Sequence, residues 1–283
     1  MYRAFFALPD TITAPDGRPV NAIHGYLDMT ATLIRNREPG DVVHCFDHDW
    51  RPAARVALYE GYKADRPPEP NELTAQFAML REVLDALGMA QAEAPGWEAE
   101  DAIGSLCARA DSRDRLEIVT GDRDLTQLVR DPRVRLLYTR RGVSQLDVLD
   151  EAGVESKYGV PAARYADFAT LRGDPSDGLP GVKGVGEKTA RLLMTDYASL
   201  EELLEDLRRP VRRSAALRRS PALRARLAEA ADYLEAMKQV VPIRTDVEVV
   251  LRRPARDGGQ LDRVAEVLGL TGPLGRLRSA LSD

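Results

Sequence analysis

Cysteine and histidine are scarce in this chain of 283 residues, and their scarcity excludes several kinds of site. The two cysteines, Cys45 and Cys107, lie in apolar contexts, so we expect reduced core thiols and neither a disulfide nor a Cys-rich zinc site. The three histidines are His24, His44 and His48, too few and too clustered to indicate a catalytic triad or a zinc site. His44 falls in a predicted strand, and we expect a structural role for it.

Long apolar runs are also missing. No stretch approaches the length of a membrane span, and the N-terminus lacks a basic segment followed by an apolar core. We therefore expect a cytoplasmic protein that does not bind membranes. A composition of 44% hydrophobic and 30% charged residues suits a globular protein and argues against disorder. The length allows one large domain or two small ones.

Acidic residues, in contrast, are grouped in a pattern. Four short clusters each stand where a strand is predicted to end or a helix to begin. Their eight carboxylates are Asp47, Glu98, Glu100, Asp101, Asp122, Asp124, Asp174 and Asp177. Carboxylates gathered in this way repel one another unless cations neutralise them. Mg²⁺ and Mn²⁺ prefer oxygen ligands, so the pattern indicates metal-assisted phosphoryl chemistry.

Each acidic cluster also has an ordinary explanation. The cluster at 98–101 could be the acidic first turn of a helix, favoured by the helix dipole. Asp122 and Asp124 could form an Asx-turn, and Asp174 and Asp177 could cap a loop. Four such clusters at strand or helix ends are harder to explain separately.

The charge distribution favours a phosphate-rich partner despite a formal net charge of −5. Residues 207–228 contain eight arginines and no acid. They are Arg208, Arg209, Arg212, Arg213, Arg218, Arg219, Arg224 and Arg226. A basic surface beside an acidic pocket fits metal-dependent chemistry on nucleic acid. A solvated helix surface explains the stretch equally well.

Strands are predicted at 42–46, 116–120 and 134–138, with helices between them, and a late edge strand at 246–251. This alternation predicts an α/β core over residues 1–160 with a mostly parallel central sheet flanked by helices. Ligands of such sheets bind beyond the carboxyl ends of the strands. Residues 161–283 are predicted to be almost wholly helical. We find no linker, so we expect one continuous structural unit.

A glycine-rich turn stands out within the segment 174–194. Gly181, Gly184 and Gly186 allow a tight turn whose backbone N–H groups approach a phosphate closely, and Lys183 and Lys188 offer further contacts. This is a helix-hairpin-helix pattern, which is typical of binding to the nucleic-acid backbone. The alternative is a plain glycine-rich connector between helices.

The segment 51–70 is charged and rich in Tyr and Pro, and we expect an exposed loop or short helix over the sheet edge. Its cationic and aromatic residues could stabilise charge on a phosphate or stack on an unpaired base. These residues are Arg55, Tyr59, Tyr62, Lys63 and Arg66. A solvated loop is the alternative.

Several motifs together resemble the bacterial 5′→3′ exonuclease and flap endonuclease family, whose domain also forms the N-terminus of bacterial DNA polymerase I. The matching segments are Phe46-Asp47, Tyr62-Lys63-Ala64, residues 96–101, residues 120–124 and residues 173–190. They follow the family's order, from Tyr2 to about Asp246. The resemblance implies a PIN-like or resolvase-like nuclease core.

The implied activity is a stand-alone, structure-specific nuclease that removes 5′ flaps and 5′-terminal nucleotides, including RNA primers. The family's metal ligands correspond to the eight clustered carboxylates, which would hold two or more Mg²⁺ or Mn²⁺ ions. Lys63, Arg55 and Arg66 match its arch residues, and Arg3 is placed among the DNA contacts. The hairpin implies duplex binding and raises K⁺ as a candidate ion there. We also expect a nucleoid-associated monomer whose partners are DNA, RNA primer–DNA hybrids and a DNA polymerase.

Two departures from the family pattern keep alternatives open. Glu100 stands where the family usually has Asp. The strand and metal-binding Asp that usually precede the Tyr2-Arg3 pair are absent from this sequence. One alternative is therefore a non-catalytic protein that binds branched DNA, and a second is a ribonuclease of the related metal-dependent fold.

Overall fold

The computed structural model describes residues 1–140, 142–210 and 213–282. Arg212 of the arginine-rich stretch lies outside these ranges. Within them, no helix combines the length and the apolar composition needed to cross a bilayer.

Six strands form two separate three-stranded sheets. One sheet has the order β1–β2–β6, with β1 parallel to β2 and β2 antiparallel to β6. The other has the order β3–β4–β5, with β3 parallel to β4 and β4 antiparallel to β5. The strands are β1 (Val43–Cys45), β2 (Ala90–Glu93), β3 (Leu116–Thr120), β4 (Val134–Thr139), β5 (Leu146–Leu149) and β6 (Val250–Arg252).

The expected α/β core is confirmed, but the single, mostly parallel sheet is not what the structure shows. Both parallel pairs still place their carboxyl ends toward Asp47 and Asp122. The sequence prediction missed β2 and β5. β2 reads Ala-Gln-Ala-Glu, which contains no residue of high strand propensity.

Fourteen α-helices are described, five of them between the N-terminus and the second sheet. These five are α1 (Tyr2–Ala7), α2 (Asn21–Arg37), α3 (Ala53–Leu58), α4 (Asn71–Leu87) and α5 (Ala99–Arg109). α4 ends at Gly88 with φ 74°, the left-handed conformation that glycine adopts without strain. α5 begins with a capping box in which Glu98 and Asp101 satisfy each other's backbone N–H groups.

Nine further helices are described, and the last eight of them confirm the helical C-terminal half. They are α6 (Glu151–Tyr158), α7 (Tyr165–Arg172), α8 (Glu187–Asp196), α9 (Leu200–Arg208), α10 (Ala215–Arg219), α11 (Pro221–Glu229), α12 (Ala231–Val240), α13 (Gly258–Val267) and α14 (Thr271–Ala280). Short 3₁₀ turns at Asp124–Leu128, Ala162–Arg164 and Pro175–Asp177 complete the chain.

The last two helices return to the N-terminal part of the chain. α14 packs on α2 and α13 packs on α4. Leu27, Leu84, Leu261 and Leu277 lie buried in this one cluster. Burying a leucine side chain contributes about 1.5–3 kcal/mol, so these contacts hold the two ends of the chain together.

The close packing of α5 against residues 243–244 gives a prediction about the fold. A β-carbon at Gly104 would lie 2.5 Å from the backbone oxygen of Arg244 and 2.7 Å from the side chain of Ile243. We expect Gly104→Ala to lower the free energy of unfolding by about 1–3 kcal/mol through overpacking. Urea denaturation measures the change.

Gly275 in α14 provides the matched control, because nothing lies within 4 Å of the position its β-carbon would take. Gly275→Ala should raise the free energy of unfolding by about 0.5–1 kcal/mol, since alanine has less freedom to lose on folding. Equal effects of the two substitutions would contradict this account of the α5 packing.

Candidate active site

The acidic clusters converge at one edge of the molecule. Asp47 follows β1 and accepts a hydrogen bond of 2.7 Å from the backbone N–H of Ala99 at the start of α5. Glu100 experiences the charges of both Glu98 and Asp122, the latter just beyond β3. The structure therefore brings together residues that are far apart in the sequence.

A second group of carboxylates adjoins the first. Asp124 begins the 3₁₀ turn after β3 and experiences the charges of Asp122, Asp174 and Asp177. Asp174 and Asp177 lie at the 3₁₀ turn between α7 and α8. Six of the eight predicted metal ligands, Glu98, Glu100, Asp122, Asp124, Asp174 and Asp177, are thus connected by electrostatic interactions. Asp47 is connected to the same place by its hydrogen bond to α5.

Glu98, Glu100 and Asp101 form the tightest cluster of possible metal ligands. Each offers a carboxylate oxygen, and these oxygens lie within 4.8 Å of one another. Because α5 begins here, its positive end also favours negative charge at this place. The donor set suits a hard divalent cation.

Arg55 neutralises much of this cluster. Its guanidinium donates two hydrogen bonds of 2.8 Å to Asp101, one of 2.5 Å to Glu98 and one of 3.0 Å to the backbone oxygen of Val240. Arg55 is 1% exposed and Asp101 is 0% exposed. The pair is therefore a buried ion pair that fixes the start of α5 against α3 and α12.

Asp101 has no acceptor capacity left. Its Oδ1 accepts from Arg55 and from the backbone N–H of Arg244, and its Oδ2 accepts from Arg55 and from the backbone N–H of Glu98. A carboxylate offers about four acceptor positions, so this side chain is fully hydrogen-bonded.

Lys63 and Tyr62 complete the surroundings of Glu98. The Lys63 ammonium bonds to Oε1 of Glu98, and the Tyr62 hydroxyl donates a hydrogen bond of 2.7 Å to Oε2. The backbone N–H of Lys63 donates to the backbone oxygen of Asp177 at 2.9 Å. Lys63 thereby links the two groups of carboxylates.

The exposed loop expected at 51–70 is only partly correct. Arg55, Tyr62 and Lys63 are buried, because the carboxylates of Glu98 and Asp101 attract the two cations into the interior. Arg66 stays exposed and pairs with Asp177 at 3.1 Å.

Tyr59 is the fifth residue expected in that loop. It packs edge-on against Tyr233 and donates a weak hydrogen bond to Gly178. Its ring is therefore engaged within the protein.

Arg123 contacts a predicted metal ligand, yet it was not among the predicted site residues. It donates hydrogen bonds of 2.5 and 3.2 Å to Oδ2 of Asp174, which is 2% exposed. Ser176 donates twice to the other oxygen of Asp174. The signal was present in the sequence, since Arg123 stands between two of the predicted ligands.

The pKa values show at which carboxylates burial outweighs the positive charge nearby. Desolvation raises the pKa of Glu100 well above its ordinary value, and Glu98 adds to the shift. Desolvation also raises the pKa of Asp177, and it raises that of Asp124 to about 8, with repulsion from Asp122 contributing. For Asp174, burial opposes ionisation, but hydrogen bonds from Ser176 and Arg123 outweigh it and lower the pKa.

The glycine-rich turn adopts a tight conformation ahead of α8. Gly181 and Gly184 have φ values of 67° and 73°, and Gly186 precedes α8 without a side-chain cap. The N–H of Gly181 donates to the Tyr233 hydroxyl at 3.2 Å, so that group is already used within the protein. Lys183 and Lys188 are exposed.

Arg226 is a second residue that was not singled out. Its guanidinium lies directly against Gly184, in the space that a β-carbon there would fill. It makes no hydrogen bond or ion pair with any residue that the structure describes. The arginine-rich stretch thus places at least one free cation beside the turn.

Arg3 lies beside the turn that follows β3. Its guanidinium donates to the backbone oxygens of Arg140 at 3.2 Å and Gly121 at 3.5 Å. Gly121 directly precedes Asp122, so Arg3 is close to the carboxylates.

The cysteines and His44 behave as structural residues. Cys45 and Cys107 are free thiols, and burial raises their pKa values to about 12 and about 11. Burial lowers the pKa of His44 to about 4, and its Nδ1 lies 2.5 Å from the Tyr26 hydroxyl.

Two family models match consecutive parts of the chain. Residues 1–159 match the 5′-3′ exonuclease N-terminal resolvase-like domain, and residues 160–257 match the 5′-3′ exonuclease C-terminal SAM fold. A 5′-3′ exonuclease of Streptomyces coelicolor is 44% identical over 298 residues, covering 99% of this chain and 97% of that protein. One of Mycobacterium tuberculosis is 42% identical over 307 residues, covering 99% and 94%. The chain belongs to the 5′–3′ exonuclease family.

Other relatives agree with this assignment. DNA polymerase I of Mycobacterium bovis is 42% identical over 208 residues, which cover 73% of this exonuclease and 23% of the polymerase. A solved structure of T5 5′-exonuclease with bound zinc shares the fold at a TM-score of 0.61 and 14% identity, covering 91% and 89% of the two chains. Human GEN1 in complex with Holliday junction DNA shares it at 0.61 and 18%, covering 92% and 65%.

The expected family and the expected nuclease activity are confirmed. The chain is a hydrolase of the 5′ nuclease class, and the comparisons give no support to the non-catalytic alternative.

The buried pair of the exonuclease gives a stability prediction. Arg55→Met removes the cation that neutralises Glu98 and Asp101 while keeping much of the side-chain volume. We expect the free energy of unfolding to fall by about 3–5 kcal/mol, because Asp101 is left buried without a counter-charge and Glu98 keeps only Lys63 as a cationic partner. Urea denaturation at pH 7 measures this change in the free energy of unfolding.

As a control, Arg113→Met removes an exposed cation paired with Asp111 and should leave the midpoint of urea denaturation close to wild type. Unchanged stability of Arg55→Met would contradict the structural role.

The raised pKa of Asp124 gives a prediction about pH. The ordinary carboxyl value is 3.8 and the folded value is about 8, so between these pH values the folded state binds the proton more tightly. The free energy of unfolding of the metal-free protein should therefore fall as pH rises from about 4 to about 8. Asp124→Asn should make this decrease smaller. Urea denaturation in EDTA across that range measures it, with Asp262→Asn on exposed α13 as the control. Identical slopes for wild type and Asp124→Asn would be inconsistent with the assignment.

Proposed function

We propose that this exonuclease hydrolyses DNA at 5′ ends and 5′ flaps with the help of Mg²⁺ or Mn²⁺. The observation that carries the proposal is the convergence of two groups of under-neutralised carboxylates, linked by Lys63, beside a basic hairpin turn. A site of this kind supplies both the negative charge that holds divalent ions and the positive charge that holds phosphates.

Not all of the eight predicted carboxylates are free to bind a metal ion. Asp101 is fully hydrogen-bonded to Arg55 and backbone N–H groups, and Asp174 is held by Arg123 and Ser176. We assign these two to positioning. The remaining six have free acceptor capacity or raised pKa values and would hold the ions: Asp47, Glu98, Glu100, Asp122, Asp124 and Asp177.

The chemistry of the site follows from these residues. A pair of bound divalent ions would supply the attacking hydroxide and stabilise the leaving oxygen. Arg55 and Tyr62 hold Oε2 of Glu98, so the direction of its other oxygen, Oε1, is fixed. Lys63 and Arg66, both close to Asp177, would neutralise charge on the scissile phosphate.

The DNA-binding surface would extend from the acidic edge to the hairpin. Lys183, Lys188 and the N-terminus of α8 would bind phosphates of the duplex. Arg226 lies against the same turn and would add a further phosphate contact, and K⁺ is a candidate ion at the turn. Arg3 would contact the strand on the side of Asp122. Because Tyr62 is buried against Glu98, we assign it to orienting that carboxylate rather than to stacking on a base.

The substrate class is proposed on the same basis. Two solved structures that share this fold contain DNA: the T5 flap endonuclease with DNA and metal ions, and human GEN1 with Holliday junction DNA. We extend this to DNA with 5′ flaps and 5′ ends and to RNA primer–DNA hybrids. The likeness to DNA polymerase I makes a DNA polymerase the proposed partner of a monomeric exonuclease in the cytoplasm.

Cleavage of a 5′-labelled flap substrate tests the proposal. Wild type with Mg²⁺ or Mn²⁺ should release the flap, and EDTA should abolish release. Asp122→Asn should reduce turnover on the order of a hundredfold or more, because it removes a metal ligand. Its affinity for the same DNA, measured in Ca²⁺, should stay close to wild type. Asp262→Asn, which alters an exposed carboxylate paired with Arg278, is the control for any loss of charge.

Three outcomes would count against the proposal. Binding of the flap without cleavage by wild type would favour the non-catalytic alternative. Equal rates on purely single-stranded RNA would favour the ribonuclease. Full activity of Asp122→Asn would refute the ligand assignment.

A further inference from the structure

We infer that Lys63 competes with divalent cations for Glu98, so that metal binding releases the turn that carries Lys63. We call residues 59–66 the arch turn. The inference rests on the proposed metal site, and it adds a coupling between the ions and the arch turn.

The hydrogen bonds of Glu98 leave one place for a cation. Its Oε2 already accepts from Arg55 at 2.5 Å and from Tyr62 at 2.7 Å. Its Oε1 is bonded to the Lys63 ammonium, whose side chain is 6% exposed. Among the residues that the structure describes, Lys63 therefore occupies the side of Glu98 on which a metal ion could bind.

Arg55 and Lys63 differ in how firmly they are held. Arg55 bonds to two carboxylates and to the backbone oxygen of Val240, and its helix α3 is packed on α12. Lys63 lies in a turn whose next residues, from Ala64 to Arg66, are exposed. Lys63 is thus the cation that can leave while Arg55 stays.

The backbone at Lys63 supports a release of this kind. Its φ of 51° lies in the left-handed region, which is unfavourable for a residue with a β-carbon. The strained conformation persists because the side chain bonds to Glu98 and the backbone N–H bonds to Asp177. Loss of the side-chain bond removes part of what keeps the turn in place.

A metal ion and the Lys63 ammonium would repel each other if both were bound to Oε1 of Glu98. A divalent ion and an ammonium repel each other strongly in a site of low dielectric constant. The released ammonium would be free to meet a phosphate of the DNA. In the absence of metal, Lys63 instead neutralises Glu98. Only the molecules in which Lys63 has left Glu98 can bind an ion there, so the apparent affinity for ions is reduced in proportion to the fraction of such molecules.

Calorimetric titration of the DNA-free protein with Mn²⁺ tests the competition directly. If Lys63 is bound in about nine molecules of ten, Lys63→Met should bind Mn²⁺ about tenfold more tightly than wild type. Lys63→Arg keeps a cation and should bind like wild type. Lys157→Met is the matched control, since Lys157 also pairs with a carboxylate, Asp147, and lies over a tyrosine ring, yet is outside the site.

Hydrogen exchange of the arch turn tests the inference on the wild-type protein, without any substitution at Lys63. Mn²⁺ should speed exchange at residues 59–66 of wild type while slowing exchange at the start of α5. Circular dichroism confirms that each variant is folded, and Lys63→Gln replaces Lys63→Met if that variant fails to fold.

The outcomes separate this inference from the proposed function. If wild type binds Mn²⁺ and Lys63→Met binds it equally or more weakly, or if the arch turn is protected by the metal, the competition is refuted. If wild type binds no Mn²⁺ at all, the proposed metal site itself fails.

Discussion

The structure depends on how it neutralises two carboxylates, Glu98 and Asp101, that lie in the interior at the start of α5. An unpaired buried carboxylate would cost several kcal/mol, so folding requires a cation beside them. Arg55 meets this requirement and, through its bond to Val240, also attaches α3 and α12 to the same place. The helical C-terminal half is thereby fixed against the acidic edge of the sheets, where the hairpin turn is needed.

The carboxylates divide into two kinds with different physical states. Asp101 and Asp174 each have an arginine partner and little exposure, and they stabilise the framework. Glu100, Asp124 and Asp177 have raised pKa values because desolvation and mutual repulsion disfavour their charge. The first kind holds the second in positions where additional cations relieve the repulsion, and this is the basis of the proposed metal site.

The positions of the acidic clusters could be predicted from the sequence because each follows a short apolar strand or opens a helix, which are local features. The burial of Arg55 could not, since its partner Glu98 is 43 residues away and the surrounding segment is charged. The position of Arg226 beside the glycine-rich turn could not be predicted either, because only the tertiary packing places it against Gly184. Within the part predicted to be helical, residues 221–240 form two helices that meet at Ala230, a break that no glycine or internal proline marks.

The central claim is that Asp101 and Asp174, whose oxygens are held by arginine and by other donors of the protein, do not bind divalent ions, while the remaining clustered carboxylates do. A crystal structure with Mn²⁺, in which anomalous scattering identifies the ions, tests it most directly. The account predicts anomalous peaks within coordination distance of Glu98, Glu100 and Asp122, with Arg55 still bonded to Asp101. A peak coordinated by Asp101 with Arg55 expelled, or no peak among these carboxylates, would contradict it.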